Sequence, residues 1–199
     1  MKAVLISIQP KWCEPIASGE KTIEVRKTRP KLETPFKVYI YCSDSSKDIF
    51  YRSVYSYDDL LYTPKHKDEC KRKLTENGHF IYNGKIIGEF VCDKIIRLNY
   101  SCGSYRCEGL NRLENDRIAS ASQLSLYDMR NYLSCNGGYA WHISDLVIYD
   151  EPKKLGGFFH ACDKTNGTYC SVCVERRENK CKSIKRAPQS WCYVEEVSS

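Results

Sequence analysis

The chain holds no apolar run long enough to cross a membrane, no internal repeat, no low-complexity tract and no regular alternation of strand and helix patterns. A membrane helix needs about 20 consecutive apolar residues. The apolar stretch in MKAVLISIQP is far shorter, and no small-residue cleavage site follows it. It reads as a buried first strand, and the protein is expected to be cytoplasmic. Without repeats the chain is not an array of stacked units. Without strand–helix alternation, a doubly wound parallel sheet is not expected. Charge of one sign is also scarce: 31 basic and 25 acidic side chains leave a net charge of +6, too small an excess to name a partner by itself.

What is present fits a folded protein. The 199 residues are 42% hydrophobic and 28% charged, enough for one domain with its own core. The basic residues gather locally. Residues 10–37 hold seven Lys/Arg against four Glu, and residues 160–187 hold seven against three acids. Such stretches suit either the flanks of a phosphate-binding cleft or a solubilising surface.

Twelve cysteines would suggest a disulfide scaffold in a short secreted chain. This chain is too long for that class and shows no secretion signal, so reduced thiols and a metal site are expected instead. Cys13, Cys42, Cys92 and Cys135 stand singly in apolar or turn contexts and read as small core hydrophobes.

Along the chain, Val4 to Ile8 reads as the first strand, followed by a short helix over Pro10 to Ser18 that Gly19 closes. Thr22 to Lys27 and FKVYIYCS are further strands. Residues 44–83 are polar and tyrosine-rich and read as an insertion with a helical piece around 57–76. NGKIIGEFVCDKIIRL reads as a turn and one long strand to Leu98, and residues 101–118 as irregular. Ser125 and Asp128 have capping-box spacing ahead of an apolar stripe at Leu126, Met129 and Leu133. YAWHISDLVIYD and SWCYVEEV complete the strands. Many strands with two short helices argue for an α+β fold built as a small mixed barrel in a single domain over residues 1–199.

Within SGEKTIEVRK the period-two pattern puts Ile23 and Val25 on one side of a strand and Thr22, Glu24 and Arg26 on the other, with Lys21 at its mouth. That polar side is either a solvated face with ion pairs or the wall of a binding cleft. Trp141 and His142, in YAWH, offer an aromatic ring and a pH-sensitive donor; a tryptophan in a strand also serves as core.

The segments ISIQPKW, SGEKTIEVRK, VYIYCS, GKIIGEF, GYAWHISDLVIYDEPKKL and APQSWCYVEE together resemble the ASCH domain proteins of bacterial and phage type, a branch of the PUA-like superfamily of RNA-associated barrels. The resemblance runs along residues 1–43 and 84–198. Its most specific part is the G-x-K-T-x-E-x-R core of Gly19, Lys21, Thr22, Glu24 and Arg26. It implies a PUA-like small β-barrel with a cleft between the first helix, the strand after it and the second helix. In the family that cleft is proposed to take RNA or a nucleotide. Lys21, Thr22, Glu24, Arg26, Trp141 and His142 would then form the ligand-binding site, Arg26 as a planar fork for phosphate or a base edge and Glu24 as acceptor from a base amino group. The expected partner is RNA or a modified nucleoside.

Some small ASCH proteins are similar to N4-acetylcytidine amidohydrolases, in which the lysine of this motif is the nucleophile and a threonine stands three positions on. Lys21 matches that lysine, whereas Glu24 occupies the threonine's position. A neighbouring glutamate favours the charged amine, which cannot attack a carbonyl. Other members are reported as ribonucleases. An enzyme acting on a nucleoside or RNA would use Lys21 and Glu24 as catalytic groups, with His142 as a further acid/base candidate.

One motif is read from its residues alone. CDKTNGTYCSVCVERRENKC places Cys170 and Cys173 in a C-x2-C knuckle with Cys162 and Cys181 on either side. Four thiolates so spaced suit a structural zinc ion, with His160 as a substitute ligand. The segment has almost no apolar residues, so a metal would supply stability that a core cannot. Residues 160–187 are therefore expected to form a zinc-binding insertion.

Overall fold

The computed structural model describes residues 1–101, 104–107, 112–161 and 183–197. These form two compact units. The first comprises Met1–Glu14, Lys37–Phe90 and Val147–Ser199, and the second Pro15–Phe36 and Val91–Leu146. The strands are β1 (Lys2–Ile8), β2 (Ile23–Arg26), β3 (Phe36–Cys42), β4 (Ile49–Arg52), β5 (Asp59–Tyr62), β6 (Phe80–Ile81), β7 (Lys85–Cys92), β8 (Ile95–Ser101), β9 (Ser104–Cys107), β10 (Gly138–His142), β11 (Ser144–Lys154) and β12 (Trp191–Glu195). The helices are α1 (Pro10–Ala17), α2 (Lys67–Glu76), α3 (Arg112–Ser122) and α4 (Leu126–Leu133). Among the described residues no helix is long and apolar enough to cross a membrane.

In the first unit β1 lies inside a mixed sheet of order β11-β7-β3-β1-β12, parallel to β3 and antiparallel to β12. Val4, Leu5 and Ile6 are buried on both faces, which suits a near-continuous apolar run. Ala3, Leu5, Tyr39, Ile86, Phe158, Ile184 and Val194 form a core cluster. Residues 44–83 carry a second sheet, β5-β4-β6, and α2. The helical piece expected around 57–76 is thus a helix only from Lys67, and Asp59–Tyr62 is strand.

The second unit is a four-stranded antiparallel sheet, β2-β10-β8-β9, with α3 and α4. Its core joins Ile23, Val25, Leu98 and Ala140 from the strands to Met129 and Leu133 from α4, with Ile118, Ala119 and Ala121 of α3 packed against them. The capping box is as expected: Ser125 Oγ accepts from the Asp128 N–H at 3.1 Å, and Asp128 accepts from the Ser125 N–H at 3.3 Å. Gly19, at φ +80°, ends the first helix through its N–H to Ile16 O.

The α+β class holds, whereas the expected barrel does not. The described strands form three separate sheets, none closed on itself. The reason lies in two strands expected to run unbroken. The one expected over Ile86 to Leu98 breaks at Asp93–Lys94 into β7 and β8, and YAWHISDLVIYD breaks at Ile143 into β10 and β11. In each case the chain leaves one sheet and enters another. Asp145, at φ +47°, lies in the first residues of β11, just past the second of these breaks.

Candidate functional site

The motif residues are brought together by the pairing of β2 with β10. Its register sets Tyr139 opposite Arg26, Ala140 opposite Val25, Trp141 opposite Glu24 and His142 opposite Ile23. Directly opposed residues share a sheet face. One face of the second unit's sheet therefore carries Glu24, Arg26, Tyr139 and Trp141. β8 extends it, because Arg97 pairs with Tyr139 and Ile95 with Trp141. The other face carries Ile23, Val25 and Ala140 into the core beneath α3 and α4.

The polar side of β2 is not a solvated face. Glu24 and Arg26 are each 7% exposed and Lys21 only 2%. Glu24 bridges two cations: Oε1 lies 2.9 Å from an Arg26 terminal nitrogen, and Oε2 lies 3.5 Å from Lys21 Nζ. Lys21 Nζ also donates to the carbonyls of Ile23 at 2.8 Å and Ser122 at 2.5 Å. An ammonium has three donors, and these three acceptors match them. Burial pushes the Lys21 pKa below its ordinary value, the charge and hydrogen bond of Glu24 pull it back, and Arg26 lowers it again. Glutamate's effect was readable from the motif. The larger effect of burial was not.

The structure redistributes the remaining candidates. Lys21, expected at the rim, is enclosed and ties the start of β2 to the end of α3. Thr22 is held by its main chain, its N–H donating to Ala121 O and its C=O accepting from Ile143 N–H. Trp141 is fully buried and meets the edge of Phe36, with ring centroids 6.1 Å apart. It is wall rather than an open stacking surface. His142 alternates to the opposite side from Trp141. Its Nδ1 lies 2.7 Å from Asp93 Oδ1, and its N–H donates to Lys94 O, so it clasps the break between β7 and β8. Burial works to raise the Asp93 pKa, but the His142 hydrogen bond and charge outweigh it and leave it lowered. Sequence reading missed Ser122, Tyr139 and Arg97. Tyr139 sat two residues before Trp141 in the quoted motif, and period two alone would have put it on the same face.

Cys162, Cys170, Cys173 and Cys181 lie outside the described residues, as do most of residues 160–187. Among the described residues no group of three or more His, Cys, Asp or Glu side chains converges on one point. Cys13, Cys42 and Cys92 are buried, as expected of small core hydrophobes, and burial first of all pushes the Cys92 thiol up to about 12. The Cys135 side chain is outside the described residues.

No family model matches the chain, and neither does any curated protein. Solved structures do. The crystal structure of ASCH from Zymomonas mobilis aligns at a TM-score of 0.51 and 15% identity, covering 98% of this chain and 88% of that one. Two point-variant structures of the same protein align alike, at TM-scores of 0.51 and 0.52 with 15% and 16% identity; each covers 98% of this chain, and 89% and 92% of the respective partner. The likeness shows that this chain has the fold of that ASCH structure.

Proposed function

We propose that this ASCH-fold protein binds single-stranded RNA or a modified nucleoside on the β2–β10 face of its second unit. The observation that carries the reading is the Lys21–Glu24–Arg26 trio set opposite Tyr139 and Trp141. Two cations and a carboxylate beside two aromatic rings are the groups that recognise a nucleotide. Arginine supplies a planar fork, glutamate accepts from a base amino group, and an aromatic ring takes a base face. Tyr139, partly exposed, is the ring within reach, while Trp141 is fully buried on the same face. Thr22, at the start of the same strand, borders the site. His142 faces the other way and is assigned no contact with the ligand. The test is a fluorescence titration with short RNAs and a panel of modified nucleosides. Arg26→Ala is expected to weaken binding by roughly 1–3 kcal/mol. Unchanged affinity in a folded variant removes Arg26 from the site.

A second reading, amide hydrolysis on a modified nucleoside, is favoured by one observation: burial lowers the Lys21 pKa toward the neutral, nucleophilic amine. Weighing against it, Nζ is directed at two carbonyls and Glu24 rather than at open space. Acetate released from N4-acetylcytidine by the wild type, and lost in Lys21→Ala, would support the enzyme; no release excludes that substrate. For residues 160–187 we keep the zinc reading as a proposal resting on the spacing of Cys162, Cys170, Cys173 and Cys181 alone.

A further inference from the structure

Tyr139 has two cross-strand partners, Arg26 on β2 and Arg97 on β8. The three side chains form one row across three strands on one face. Two strand spacings place the arginine backbones roughly 10 Å apart. The row grades outward: Arg26 is buried, Tyr139 and Arg97 are partly exposed, and Asn99, two residues beyond Arg97, is exposed.

Arg97 is held in a manner unlike Arg26, Arg52 and Arg72. Its guanidinium carbon lies 4.8 Å from the Tyr139 ring centroid, one terminal nitrogen donates to Tyr139 Oη at 2.5 Å, and Nε donates to Asn99 Oδ1 at 3.2 Å. Both acceptors are neutral. Arg52, by contrast, is forked onto Asp59 and reaches Asp150, Arg26 meets Glu24, and Arg72 meets Glu76. Among the described residues no carboxylate pairs with Arg97. An arginine oriented by a ring and an amide, with no carboxylate partner among the described residues and with donors to spare, is suited to an anion.

Resting on the RNA-binding reading above, we propose that Arg97, seated on Tyr139, is a phosphate subsite for the backbone of one RNA strand whose base occupies the Arg26–Glu24 face. The two ends of the row serve different parts of a nucleotide. Arg97 contributes to oligonucleotides and not to a nucleoside, which has no phosphate.

The experiment titrates wild type, Arg97→Gln, Arg97→Lys and Tyr139→Phe with cytidine and with a single-stranded RNA hexamer over a series of salt concentrations. Each neutralised phosphate on a single strand contributes about 0.7 to the slope of log affinity against log salt. Arg97→Gln is expected to weaken the hexamer about tenfold and flatten that slope by about 0.7, with cytidine unchanged. Arg97→Lys restores the slope without the full affinity, because it keeps the charge and loses the fork. Tyr139→Phe, which keeps the ring and removes the hydroxyl, falls between wild type and Arg97→Gln. Wild-type affinity and slope in Arg97→Gln overturn the subsite and leave the Arg26–Glu24 face standing. Equal loss of cytidine and hexamer makes Arg97 a structural residue and overturns it too. A wild-type protein that binds neither probe overturns the underlying reading, and the subsite with it.

Discussion

Glu24→Gln is the sharpest test of the buried trio. The substitution keeps the side-chain volume and one acceptor oxygen for Arg26 but removes the charge that Lys21 and Arg26 share. Were these groups exposed, the pair energies would be about 0–1 kcal/mol. They are not: side-chain exposures are 1% for Lys21, 8–9% for Glu24 and Arg26. Removing one member of a buried ion pair costs about 3–5 kcal/mol, and the retained oxygen puts Glu24→Gln at the lower end, about 3 kcal/mol. With a urea slope near 2 kcal/mol/M, the midpoint falls by roughly 1.5 M. Because the chain forms two units, the assay has to report on the second alone. Fluorescence of Trp141, in a background where Trp12 and Trp191 are phenylalanine, does so. The cycle closes with Lys21→Met and the double variant, whose loss should fall short of the sum of the single losses by about 1 kcal/mol or more. A Glu24→Gln midpoint within about 0.3 M of the parent, or strict additivity, would refute the claim that these charges are coupled and desolvated.

Lys21 also makes a pH prediction. Its folded pKa lies below the ordinary 10.5, so between those values the unfolded chain binds more protons and Lys21 contributes stability that rises with pH. The stability difference between wild type and Lys21→Met should therefore shift in favour of wild type across that window; a constant difference counts against it. For the cysteine segment, protein purified without added metal should carry one zinc per chain, and Cys170→Ser should lose it; sub-stoichiometric metal in the wild type, or a full equivalent in the variant, removes the site.

The strands were legible wherever an apolar run or alternation was strong, as in β1, β3 and β12, and so was the start of α4 from Ser125 and Asp128. The barrel was misread because continuity of an apolar pattern says nothing about which sheet a strand pairs into. IIGEFVCDKIIRL looks continuous, yet the chain changes sheets at Asp93, where His142 pairs with the carboxylate and accepts no part in the motif face. That contact joins residues 49 apart in sequence. α3 was missed for a related reason. Its burying residues, Ile118, Ala119 and Ala121, are small or few, and their packing on β2 and β10 supplies a helix that the local pattern leaves faint.

The site was legible in composition and not in depth. Period two correctly put Glu24 and Arg26 on one side and Ile23 and Val25 on the other, but alternation cannot say whether the polar side meets water. Burial decides what the trio means. Apolar residues of similar volume in place of a buried ion cluster are often neutral or stabilising. Stability by itself is therefore a weak account of the Lys21, Glu24 and Arg26 cluster. The binding role proposed above draws on the continuation of the Arg26 row through Tyr139 to Arg97, where a cation stands without a carboxylate among the described residues. On the proposed reading, the Glu24-paired end would fix geometry at low cost in net charge, and Arg97 would hold the attraction. If the trio were only structural, Glu24→Gln would lower the urea midpoint and leave RNA affinity per folded molecule unchanged. If the row is a binding surface, the same variant changes both, and Arg97→Gln changes affinity alone.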